Sequence, residues 1–134
     1  MKMAKAQYTI KCDGGSRGNP GPAALGVVIR FTDGSPSKEY GQFIGHATNN
    51  VAEYSAVIFG LKKLKSLVGK EKAFRSNVEV VVDSELLERQ INGHYKIQQP
   101  KIQELFIELW NIKIDFKHLI FKHVRRELNK EPDR

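Results

Sequence analysis

The chain has 134 residues, 40% hydrophobic and 28% charged, which suits a single domain over residues 1–134 whose core needs no disulfide or metal staple. Lys and Arg outnumber Asp and Glu by 22 to 15, and the net +7 favours a polyanionic partner, of which nucleic acid is the commonest. The one cysteine, Cys12, excludes an internal disulfide and a cysteine-based zinc site, and the opening MKMAKAQYTI lacks an apolar stretch long enough for a signal peptide or anchor, so a cytoplasmic protein without membrane contact is expected.

In chain order, Gln7 to Asp13 alternates apolar and polar residues as a half-buried strand does, with Tyr8, Ile10 and Cys12 on one face. Asp13 falls on the polar face. It is followed by GGSRGNPGP, whose glycines and prolines predict a turn. Ala23 to Phe31 and Lys38 to Ile44 read as the second and third strands of an antiparallel meander, around a turn cluster at Thr32–Ser37. Thr48-Asn49-Asn50 opens a helix in which Tyr54, Val57, Ile58, Leu61, Leu64 and Val68 recur at helical spacing; it fades at Gly69, before a lysine-rich link.

Asn77 to Val82 is a β-branched run suited to a central strand buried on both faces. Ser84 caps a short helix through Gln90, stopped by Asn92-Gly93. A further helix, from about Lys101 to Lys113, carries Ile102, Leu105, Phe106, Leu109 and Trp110 on its buried stripe, which makes Trp110 a core residue. Phe116 to Phe121 is the last strand, and the residues from Glu127 are polar and helix-competent. The order implies a mixed five-stranded sheet with helices packed on it.

Four carboxylates stand at informative places: Asp13 at the end of the first strand, Glu53 in the first turn of the first helix, Asp83 at the end of the central strand, and Asp133 after the last strand. In an α/β sheet, strand carboxyl ends and adjacent helix starts are where ligand sites assemble. Converging carboxylates repel unless cations neutralise them, and oxygen-only ligands select hard ions, Mg²⁺ or Mn²⁺, over zinc. Two such ions about 4 Å apart activate water and stabilise the leaving oxygen in phosphodiester hydrolysis. Taken singly, each acid also has a plainer role. Asp13 fits a turn before glycine, Glu53 a capping box with Asn50, Asp83 a favourable place against a helix dipole, and Asp133 the surface.

The segments DGGSRGNPGPAALG, TNNVAEYSAV, VVVDSELL and HVRRELNKEPDR, in that order and spacing, resemble ribonuclease H of type 1. The likeness runs from Tyr8 to Asp133 and is to the short prokaryotic or archaeal-like branch, which has neither a hybrid-binding domain nor the basic protrusion. It implies an α/β, ribonuclease H-like fold: a mixed five-stranded sheet, three antiparallel strands and then parallel ones, with helices on both faces. It further implies an endonuclease that cuts the RNA strand of RNA–DNA hybrids, leaving a 3′-hydroxyl and a 5′-phosphate. Asp13, Glu53, Asp83 and Asp133 would hold two Mg²⁺ ions, with Mn²⁺ as the other candidate.

His123, ten residues before Asp133, matches a mobile histidine of some family members that helps proton transfer or product release; a strand-ending histidine bonded to a carbonyl fits equally well. Gly14, Gly15 and Gly18, without Cβ atoms, would let the backbone approach the RNA. Ser16 and Asn19 match positions that touch the RNA backbone and 2′-hydroxyls, and Asn49 and Asn50 match a pair that reads the minor groove, although helix capping would also select asparagine there. Lys and Arg from Lys62 to Arg75, with Lys117, Lys122, Arg125 and Arg126, are candidates for a phosphate-tracking surface. The expected partner is an RNA–DNA hybrid, with double-stranded RNA left open, and a monomer is expected. The alternatives are a catalytically weak or silent module binding hybrid or double-stranded RNA, and a related nuclease acting on double-stranded RNA or DNA ends.

Two positions depart from the family pattern. Glu85 stands where relatives often carry Gln, and an ionised acid cannot donate a hydrogen bond to nucleic acid. Pro132 precedes the last acid where relatives usually carry Ala within a continuing helix, so weaker activity or metal occupancy is expected if that segment frays.

Overall fold

The computed structural model describes residues 6–125. Strands β1 (Tyr8–Ser16), β2 (Gly21–Phe31) and β3 (Lys38–Ala47) form the antiparallel meander. Helices α1 (Asn49–Val68) and α2 (Lys70–Arg75) lead to β4 (Asn77–Val82), and α3 (Glu85–Ile91) and α4 (Pro100–Lys113) lead to β5 (His118–His123). The sheet order is β3-β2-β1-β4-β5, with β4 parallel to both β1 and β5. A parallel neighbour requires a crossover, and the helical connections supply it. Because β1 and β4 lie side by side and point the same way, their carboxyl ends meet at one edge of the molecule.

Alternation along each strand makes one sheet face apolar. Ile10, Val27, Ile29 and Val80 on that face are buried beneath Val57, Leu61 and Leu64 of α1, and Leu87, Ile102 and Leu109 extend the same core through α3 and α4. Helices α1 to α4 all contribute to this one core. The other face is mixed. On β4, Val81 is buried there between Lys11 and Lys122 in register, while Glu79 is only half-buried and pairs with Lys122 at 3.3 Å. Burial on both faces of β4 is thus limited to its last residues.

The structure departs from the sequence expectation in four local ways. Strand β1 does not end at Asp13: Gly14, Gly15 and Ser16 stay in register with Leu25, Ala24 and Ala23, and the turn shrinks to residues 17–20. The lysine-rich link is the helix α2, anchored by buried Ala73 and by Ser76, whose hydroxyl donates to the Lys72 carbonyl at 2.6 Å. Strand β5 starts at His118, two residues later than expected, because Phe116 turns inward and is buried. Trp110 is 53% exposed rather than core; it stacks on Phe106 and lies under the Lys113 ammonium.

This last difference gives a measurable contrast. Leu61 is fully buried in α1, so Leu61→Ala lowers stability in urea by about 2–5 kcal/mol. Trp110→Ala, at a half-exposed site, is expected to cost under about 1.5 kcal/mol, on the scale of a lost aromatic contact.

Candidate active site

Backbone register sets two of the four predicted acids on neighbouring chains, and a close helix–strand contact brings the backbone of a third nearby. Cys12 lies opposite Val82 in the parallel β1–β4 pair. Asp13 follows the first and Asp83 follows the second, so the two acids are the next residues on neighbouring chains. Asp13 is exposed, and Asp83 is half-buried. The contrast with Cys12 follows from alternation: its thiol is buried in the core, and burial, followed by the Asp13 carboxylate, pushes its pKa well above the usual thiol range.

Glu53 arrives from a different element. A Cβ placed on Gly14 would stand 2.2 Å from the Ala52 carbonyl oxygen and 2.7 Å from the Glu53 nitrogen. The first turns of α1 therefore lie directly against β1, one residue beyond Asp13. This gives Gly14 a reason for being glycine other than close approach of RNA: it is buried, and helix backbone fills its side-chain space. Gly15 is different, since a Cβ there would meet only the Asn49 Oδ1 at 3.8 Å, and Gly18 is an exposed turn residue with φ of 73°. Among the described residues, no three Asp, Glu, His or Cys side chains form a group that could hold a metal ion. Asp133 lies outside the described residues.

The polar residues expected around this rim form one network. Asn49 Oδ1 accepts from the Ser16 backbone N–H at 2.8 Å, and the Asn49 backbone N–H donates to Asn19 Oδ1 at 3.0 Å. The Ser16 hydroxyl has one proton and two acceptors in reach, the Gly18 carbonyl at 2.6 Å and Asn49 Oδ1 at 3.0 Å. The β1–β2 turn is thereby tied to the start of α1. With Oδ1 committed to Ser16, the Asn49 amide keeps its two N–H donors for other partners.

Neither asparagine caps the helix. Thr48 is the cap and accepts from the Val51 N–H at 3.2 Å, so the capping-box role for Asn50 and Glu53 falls away. The expected Ser84 cap is present, accepting from the Leu87 N–H at 3.1 Å.

The remaining candidates divide. His123 ends β5 opposite Val82, one residue from Asp83, and the following Val124 N–H donates to the Val82 carbonyl at 2.9 Å. Glu85 pairs with Arg89 at 3.3 Å. Of the basic candidates, Lys62 pairs with Glu108 and Lys65 with Asp115, each at 3.0 Å, and exposed pairs of this kind contribute only about 0.2–1 kcal/mol. Lys70, Lys72 and Arg75 lie at the opposite end of β4, roughly 20 Å from Asp83 along the strand. A buried link that no sequence motif signals joins α1 to α3: the Tyr54 hydroxyl donates to Gln90 Oε1 at 2.8 Å, and Gln90 Nε2 donates to the Lys96 carbonyl at 3.3 Å. It fixes the residue next to Glu53.

The five-stranded order and the acid rim define a ribonuclease H-like α/β domain. Residues 11–133 match the family described as reverse transcriptase-like. The chain is 34% identical over 115 residues to a protein named ribonuclease H from Sulfurovum sp., covering 86% of this chain and 73% of that one. It is 39% identical over 129 residues to the bifunctional protein Rv2228c of Mycobacterium tuberculosis, covering 96% of this chain. The chain spans about a third of the length of that mycobacterial relative, 34%. Among solved structures, that of LC11-RNase H1 in complex with RNA/DNA hybrid superposes with a TM-score of 0.83 at 43% identity, covering 91% of this chain and 88% of the other. The chain belongs to the ribonuclease H family.

The Asn49 network separates two substitutions. Asn49→Asp keeps the oxygen that accepts from Ser16 and is expected to unfold within about 0.5 kcal/mol of the unsubstituted protein. Asn49→Ala removes the acceptor and is expected to cost about 1–2 kcal/mol in urea denaturation.

Proposed function

We propose that this chain is a metal-dependent endonuclease that hydrolyses the RNA strand of RNA–DNA hybrids, leaving 3′-hydroxyl and 5′-phosphate ends. The observation that carries the reading is the backbone placement of the three acids: Asp13 and Asp83 directly follow the paired Cys12 and Val82, and the Glu53 backbone lies against Gly14. The family relationship and the likeness to a ribonuclease H1 solved with an RNA/DNA hybrid support the choice of substrate.

The donor chemistry fits Mg²⁺ or Mn²⁺. Asp13, Glu53 and Asp83 offer oxygen only, because the neighbouring soft ligand, Cys12, is buried on the other side of the strand. Those three acids, joined by Asp133, would hold two ions. When bound, the ions supply activation of water and charge stabilisation at the departing 3′-oxygen. The chain's own task is positioning. Gly15, Ser16, Gly18 and Asn19 form the surface that meets the RNA strand, and the Asn49 amide, with Asn50, donates to acceptors in the minor groove. His123, beside the acid rim, serves proton transfer or product release.

The unit acts as a single domain and a monomer, and in the cytoplasm. The described residues 6–125 share one core, and no helix among them is long and apolar enough to cross a membrane.

A cleavage assay with labelled RNA–DNA hybrid, double-stranded RNA and double-stranded DNA, in Mg²⁺, Mn²⁺ or EDTA, tests this. Cutting of the hybrid's RNA strand in metal and none in EDTA is expected. Binding without cleavage in either metal would instead support a silent binding module, and equal cutting of DNA would overturn the substrate. Asp13→Asn and Asp83→Asn are expected to lose at least about 100-fold in cleavage rate while still binding hybrid. Little change in Asp133→Asn, beside full loss in Asp83→Asn, would show Asp133 to be dispensable.

A further inference from the structure

We propose that Gly14 is a positioning residue for the metal site: its missing side chain sets how closely Glu53 approaches Asp13, and thereby the affinity of the acid rim for a divalent cation. The proposal rests on the metal-site reading above and assigns to Gly14 a role distinct from contact with RNA.

Helix α1 meets the sheet at two glycines. At its middle, a Cβ on Gly60 would stand 2.7 Å from Ile10 Cγ2, 3.3 Å from Val27 Cγ1 and 3.5 Å from the Cys12 Sγ. Those atoms are core methyls and a thiol, which can give only by small shifts of buried side chains, at a cost in stability. At its start, the atoms facing Gly14 are backbone: the Ala52 carbonyl and the Glu53 nitrogen. No rotamer relieves that contact. A methyl group at residue 14 must displace either β1 or the first turns of α1, the segments that carry Asp13 and Glu53.

The two ends of α1 also differ in how firmly they are held. Around Gly60 the helix is clamped by Val57, Leu61 and Leu64, all fully buried. Near Glu53 the clamp is Tyr54, bonded to Gln90, and the Asn49 ties to Ser16 and Asn19. Strain introduced at Gly14 is therefore trapped between the acid rim and a fixed helix body. Its outlet is the spacing between Asp13 and Glu53, the quantity that a two-carboxylate cation site reads most steeply.

The test compares Gly14→Ala with Gly60→Ala and Gly15→Ala by titrating each folded protein with Mn²⁺ without nucleic acid, following free Mn²⁺ by electron paramagnetic resonance. Gly14→Ala is expected to bind Mn²⁺ at least about tenfold more weakly, the scale of a lost support behind a metal ligand. Its hybrid cleavage should recover as Mn²⁺ is raised. Gly60→Ala, which disturbs the same helix–sheet contact away from the acids, is expected to lose stability but bind Mn²⁺ like the unsubstituted chain. Gly15→Ala should also leave Mn²⁺ binding unchanged.

Unchanged Mn²⁺ affinity in folded Gly14→Ala would overturn the proposal, as would an equal loss in Gly60→Ala. No Mn²⁺ binding by the unsubstituted chain would overturn the metal reading itself, and the proposal with it. If Gly14→Ala does not fold, Glu53→Asp withdraws the same carboxylate by one methylene without touching the backbone contact. A loss of Mn²⁺ affinity there supports the spacing argument, and no loss overturns it.

Discussion

Helix α1 can lie on strand β1 as it does only because two positions at their contact carry no side chain. Gly60 on the helix faces Ile10 and Cys12, and Gly14 on the strand faces the Ala52–Glu53 backbone. One contact is inside the core and the other at its edge, so a single close approach serves both stability and the site. The inner end buries Val57, Leu61 and Leu64 against the sheet. The outer end brings the Glu53 backbone against β1, whose Cys12 lies opposite Val82, the residues before Asp13 and Asp83.

Polar groups around that rim are held by the scaffold before any ligand arrives. Thr48 takes the capping duty, which frees Asn49 to bind Ser16 through its oxygen. Tyr54, next to Glu53, is held by Gln90, which also grips the loop after α3 through the Lys96 carbonyl. Burial pushes the Tyr54 phenol above its usual range, so it stays a neutral donor in this link. Such a preorganised helix start suits the proposed chemistry, in which positioning and charge neutralisation carry the rate.

Much of this was legible in the residues, and the parts that were not share a cause. Alternation in Gln7–Asp13 and the Val-rich run before Asp83 placed the strands, because period-two patterning reports burial directly. Trp110 misled because it lies about 80° around the helix from Ile102, at the border of the apolar stripe, where periodicity alone cannot tell rim from core. Helix α2 has six residues, too few for a period to emerge. The glycine pair at 14 and 15 read as a turn because glycine in isolation reports freedom; only the partner backbone shows that Gly14 answers to close packing. Likewise Thr48, Asn49 and Asn50 are all good caps, and only the hydrogen bonds distinguish them.

The most direct measurement is anomalous diffraction at the manganese edge from crystals grown with Mn²⁺ and a hybrid whose RNA strand resists cleavage. Manganese peaks bounded by the carboxylates of Asp13, Glu53 and Asp83, next to the RNA backbone, are the result predicted. An acid rim without manganese, or manganese held by a different set of residues at the scissile phosphate, would contradict the account.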